Sequence, residues 1–123
     1  MNKLEEIIIR KALKPSVRET EPGKVQLVFS GFKLMPERAV GFFDYLSGVI
    51  CRLEGVKAAE IDRAAGLVTV TYDPALTSSG GVADWFAHVA DVGVTCLRDL
   101  GSAVGTMDNA AIQQEIDRRL AGG

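Results

Sequence analysis

The sequence predicts an α+β domain: a four-stranded antiparallel sheet with two helices on one face, and a further helix at each end of the chain. Three observations predict it. Short runs rich in β-branched residues alternate apolar and polar positions at 24–30 and 67–73, the period of a strand with one buried face. Other stretches repeat apolar residues every three or four positions, the period of a helix. The segments follow one another as strand, helix, strand, strand, helix, strand. A chain of 123 residues, 47% hydrophobic and 24% charged, suffices for the core of one such domain.

In order along the chain, Leu4, Ile7, Ile8 and Ala12 stand at helical spacing in residues 3–13. Pro15 stops that helix. "SVRETEPG" is polar throughout and reads as a linker ending in a Pro-Gly turn. "KVQLVFS" is the first expected strand, with Val25, Leu27 and Phe29 on one face. Gly31 ends it. Pro36 suits the first turn of a helix, where its missing N–H costs nothing. From there Ala39, Phe42, Leu46, Val49, Ile50 and Leu53 form one stripe. One helix cannot turn Phe42, Phe43 and Tyr45 all into the same core, so Phe43 or Tyr45 is left at an edge.

Gly55 turns the chain into a second strand, 56–62. "RAAG" then makes a hairpin with 67–73, where Val68, Val70 and Tyr72 share a face. Ser78 or Ser79 is placed to cap the next helix, with Val82, Trp85, Phe86 and Val89 at helical spacing. Gly93 is placed to end it, and "VTCLRDL", 94–100, reads as the fourth strand. This βαββαβ order is the ferredoxin-like plan. The expected organisation is a helix and linker over 1–23, the ferredoxin-like domain over 24–100, and a flexible joint with a last helix over 101–123. That last helix carries Ile112, Ile116 and Leu120 at four-residue spacing.

The charge balance, 14 basic against 16 acidic residues for a net charge of -2, argues against a general nucleic-acid binder, which needs a basic face. The locally basic "RKALKPSVR" reads first as a solvated flank and second as a contact for an acidic partner or lipid headgroups. No apolar run approaches the ~20 residues of a membrane span. The opening "MNKLEEIIIRKALKP" mixes acids with a three-isoleucine run and is unlike a secretory signal. Two cysteines in no close pair, Cys51 and Cys96, favour free thiols and a cytoplasmic setting.

The stretch "LEGVKAAEIDRAAGLVTVTYDP" resembles the heavy-metal-associated domain of copper chaperones and metal-transporting P-type ATPases. The resemblance covers 24–100 and implies the same fold. In that family the first strand leads into a Met-x-Cys-x-x-Cys loop whose two thiolates hold a soft ion such as Cu(I). Laid on this chain, Gly31 and Phe32 take the glycine and methionine positions, and the cysteine positions fall on Leu34 and Glu37. Neither replaces a thiolate. "EPGKVQLVF" is also similar to the Pro-Gly-Arg opening of a branch of the family without the Cys-x-x-Cys. Members of that branch sit at or near the N-termini of metal ATPases or stand as small separate proteins. The resemblance thus implies a domain that docks or regulates, with a degenerate loop of Gly31, Phe32, Leu34, Met35 and Glu37 and no cofactor.

The residues that could carry chemistry are few. Met35 is the one soft donor left in the loop, and a lone thioether is a weak ligand. Cys51 and Cys96 fit no zinc or redox spacing, and a buried free cysteine usually behaves as a small hydrophobe. His88, with Asp84 four residues before it, reads as a surface helix pair. Gly31 with Lys33 and Arg38 matches no phosphate-binding motif. The expected function is therefore a non-catalytic binding or regulatory module linked to metal transport. Its partner is a second copy or another protein, with a metal-transporting ATPase as the class the resemblance implies. The terminal helices, through Ile7, Ile8, Ile112, Ile116 and Leu120, supply the contact. Two other readings stand beside it: binding of copper or another soft ion through Met35, Cys51 and Cys96, including across a dimer, and a small enzyme on the same fold. No catalytic residues are assigned.

Overall fold

The structure, a computed structural model, describes residues 2–30 and 43–122. Helix α1 (Lys3–Ala12) opens it, capped by Asn2, whose side-chain oxygen accepts from the Glu5 N–H at 2.8 Å. Strands β1 (Ser16–Glu21) and β2 (Lys24–Val28) form an antiparallel hairpin. Its turn places Pro22 second and Gly23 third, and Gly23 has φ 86°. That is the residue pattern of a type II turn, in which the third residue needs positive φ. A Cβ on Gly23 would also stand 3.0 Å from the Tyr72 carbonyl oxygen, so the site excludes a side chain twice over.

Helix α2 (Phe43–Ile50) leads to the hairpin of β3 (Val56–Asp62) and β4 (Leu67–Tyr72). Helix α3 (Ser79–Leu100) follows, capped by Ser78, whose Oγ accepts from the Gly81 N–H at 3.0 Å. A 3₁₀ turn (Gly101–Thr106) joins it to α4 (Asn109–Gly122). The four strands make one antiparallel sheet in the order β1-β2-β4-β3. Both β2 and β3 run antiparallel to β4, so they are parallel to each other with β4 between them.

Register fixes the buried face. Val25 pairs with Val70 and Leu27 with Val68, and on the other side of β4 Val70 pairs with Ala59 and Val68 with Ile61. Val25, Leu27, Phe29, Val68, Val70 and Tyr72 are buried under Ile50 of α2, Val82 and Phe86 of α3, and Ala12 of α1. The Phe29 and Phe86 rings meet with centroids 5.2 Å apart and tilted by 59°, an arrangement favoured by their quadrupoles. A second core, Cys96, Ile112 and Ile116, joins α4 to the C-terminal half of α3.

The α+β class with a four-stranded antiparallel sheet and helices on one face is as expected. Two elements differ. Residues 94–100 are not a fourth strand. They continue α3, whose stripe of Phe86, Val89, Gly93, Val94, Leu97 and Leu100 runs through Gly93 without a break. An interior glycine costs a helix only about 1 kcal/mol. Packing does not demand a glycine there, since a Cβ on Gly93 would meet only Ile116 Cδ1, at an ordinary contact distance of 4.0 Å. Residues 16–21 are not a linker but the edge strand β1, so the sheet begins at residue 16 rather than 24. The joint over 101–106 is a 3₁₀ turn, and α4 packs on the same chain.

Candidate docking surface

Helix α1 has apolar residues on two sides. Ile9, Ala12 and Leu13 turn toward the molecule, and Ala12 is buried in the main core. Leu4, Ile7 and Ile8, at i, i+3 and i+4, share the opposite face and are 66%, 43% and 40% exposed. Two polar side chains, Glu6 and Arg10, reach toward α3. Glu6, only 16% exposed, accepts from Arg10 at 3.1 Å and from Arg98 of α3 at 3.4 Å. Arg10 also donates to Asp91 at 2.8 Å and to the Thr95 hydroxyl at 3.3 Å. Its hydrogen bond to Asp91 raises its pKa further. A surface helix ordinarily buries its aliphatic stripe and shows its ions to water. Here α1 buries Ala12, adds ion pairs to α3, and still holds three large aliphatic side chains largely in solvent.

Lys3, Lys11 and Lys14 are exposed along the same helix and its C-terminal flank, and none has an ion-pair partner among the described residues. Between α1 and the helices beneath it lies an apolar cavity of about 60 Å³, lined by Ile9, Leu13, Leu46, Val94, Leu97 and Ile116. Beside it a shallow groove of about 220 Å³ runs past Arg10, Lys14, Pro15 and Asp91.

The other expected site residues fall in different places. Gly31, Phe32, Leu34, Met35 and Glu37 lie outside the described residues, as do Lys33 and Arg38. Cys51 is exposed just past α2, and Cys96 is fully buried in the second core. Burial pushes the Cys96 thiol above its ordinary pKa, which disfavours the thiolate that a soft metal requires. Among the described residues no three His, Cys, Asp or Glu side chains gather as a ligand set. Of the expected contact residues, Ile7 and Ile8 are exposed. Ile112 and Ile116 are corrected: at 0% and 5% exposure they are spent on Cys96 and its neighbours within the chain, and Leu120 packs half-buried beside them. The stripe of α4 found its partner in α3.

His88 is exposed, with its ring centroid 5.9 Å from that of Trp85. Trp85 donates its indole N–H to the Val49 carbonyl at 3.0 Å and so ties α3 to α2. Tyr45, one of the two residues expected at an edge, is half-buried and donates to Asp117 of α4, which also accepts from Arg52 at 2.9 Å. Burial, and then this bond to Asp117, push the phenol pKa well up. The same bond, with Arg52, holds the Asp117 carboxyl below the usual range. Spacing alone could not have found this contact, because its members lie 72 and 65 residues apart.

Among the described residues no helix is long and apolar enough to cross a membrane. No protein-family model, no curated protein and no solved structure matches the chain.

Proposed function

We propose that this chain is a non-catalytic docking module that rests against another surface through the outer face of α1. The observation that carries the reading is a second apolar face on that helix: Ala12 is buried in the core, Glu6 and Arg10 are taken up in ion pairs at its edge, and Leu4, Ile7 and Ile8 are left exposed. Exposed apolar side chains scattered singly need no explanation. Three on one helix face, at the spacing that helix-in-groove recognition uses, make a contiguous patch that gains free energy when covered.

The resemblance to heavy-metal-associated domains supplies the setting. The β2-β4-β3 order is compatible with the split βαβ half of a ferredoxin-like sheet. In this reading β1 takes the edge that the βαββαβ plan gives to its last strand. Leu34 and Glu37 at the thiolate positions leave docking, not ion capture, as the property carried over, and a metal-transporting ATPase is the partner class implied. The buried Cys96 weighs against the thiol-based metal reading.

The test is retention of material from a lysate of the source cells that still contains its membranes. Tagged wild-type chain should hold a specific component that the Ile7→Lys/Ile8→Lys chain does not. Equal retention by the two chains would sink the assignment of this face.

A further inference from the structure

We infer that the surface covered by the outer face of α1 is an anionic lipid surface, an inference that rests on the docking reading above. Charge decides it. Arg10, Arg52, Arg98, Arg118 and Arg119 each meet a carboxylate within the chain. Lys3, Lys11 and Lys14 have no ion-pair partner among the described residues and stand exposed on or beside the apolar stripe. The acids of α1 do not balance them. Glu6 is drawn inward by Arg10 and Arg98, and Glu5 is held at the N-terminus, where Asn2 Nδ2 donates to it at 3.1 Å. The outer face therefore offers three unopposed ammonium groups, one carboxylate and three aliphatic side chains.

A second copy of the chain suits such a face poorly, because pairing α1 with itself brings lysine against lysine. An acidic partner with apolar depth suits it, and a bilayer supplies both. The face carries no aromatic, amide or guanidinium group that would require a fixed hydrogen-bonding geometry. Aliphatic residues one turn apart can sink to the acyl boundary while lysine stems lie along the surface and keep their charges at the phosphates. The chain's net charge is -2, so the attraction is local, acting on charges within about 10 Å of the lipid surface at ordinary salt.

Co-sedimentation of the full chain with phosphatidylcholine vesicles, with and without phosphatidylglycerol, tests this. Each lysine near an anionic surface multiplies binding about fivefold. The chain should pellet with the anionic vesicles and remain in solution with the zwitterionic ones. Lys11→Ser/Lys14→Ser should lower the partition coefficient about 25-fold, and Leu4→Ser/Ile8→Ser should lower it as strongly. Circular dichroism checks that both variants stay folded. Equal binding to the two vesicle types, or binding that survives either double substitution, overturns the inference. Absence of vesicle binding alongside stripe-dependent capture of a protein from lysate overturns the lipid inference and leaves the docking reading standing. Absence of both removes the two together.

Discussion

Replacing Ile112 by Ala tests whether α4 is part of the fold or an appendage free to bind elsewhere. Ile112 is fully buried against Cys96 and Ile116. An isoleucine-to-alanine change at such a site loses the transfer free energy of the removed carbons and leaves a cavity, together about 2–5 kcal/mol. The lower half of that range applies here. Leu97, Leu100 and Leu120 around the site are only partly buried and can move inward, and alanine returns about 0.4 kcal/mol of helix propensity. The expected loss is about 2–3 kcal/mol. For a chain of 123 residues that lowers Tm by roughly 6–15 °C, and in urea it shifts the midpoint while the slope stays constant. The control is Ile8→Ala on the outer face of α1. Its partial contacts are offset by the better propensity of alanine, so the change should stay within about 0.5 kcal/mol of zero. Urea unfolding followed by circular dichroism measures both. A loss below about 0.5 kcal/mol for Ile112→Ala would refute the packing of α4 on α3. A loss of about 2 kcal/mol for Ile8→Ala would refute the outward placement of the stripe.

Two further outcomes follow from the same contacts. Asp117 has a folded pKa depressed by the Tyr45 hydroxyl and Arg52. Its contribution is therefore fully present above the unfolded carboxylate value of about 3.9 and is lost as pH falls through the folded value. Asp117→Asn should flatten part of the decline in stability below about pH 4 and cost about 0.5–1 kcal/mol at neutral pH, since the pair is half in solvent. An acid limb unchanged in the variant would count against it. The thiols should separate in labelling: Cys51 reacts with an aromatic disulfide reagent in the native chain, and Cys96 reacts only as the second core opens. Two equally fast thiols would contradict the burial of Cys96.

Much of the sheet was legible in the sequence because one face of it is buried. Val25, Leu27 and Phe29, and Val68, Val70 and Tyr72, alternate with half-buried neighbours, and alternation is what burial on one face writes into a sequence. The edge strand β1 was illegible for the same reason. All six of its residues are exposed, so no alternation arises, and the only cue was the Pro22-Gly23 turn. The end of α3 was misleading locally. "VTCLRDL" opens with two β-branched residues and follows a glycine, yet the packing of Cys96 against Ile112 and Ile116 in the second core outweighs both signals. For the docking surface, the apolar spacing of Leu4, Ile7 and Ile8 was readable, but which way it faced was not. Orientation depends on Arg10 reaching Asp91 and Arg98 reaching Glu6, pairs 81 and 92 residues apart.

The docking surface exists only if α1 turns Leu4, Ile7 and Ile8 to solvent. Methyl NMR with a soluble paramagnetic chelate reads it directly. With α1 placed as described, those three residues relax strongly in the free chain, while Ile50 and Ile112, both fully buried, are spared. Stripe methyls as protected in the free chain as Ile112 would contradict the orientation of α1 and, with it, the docking surface.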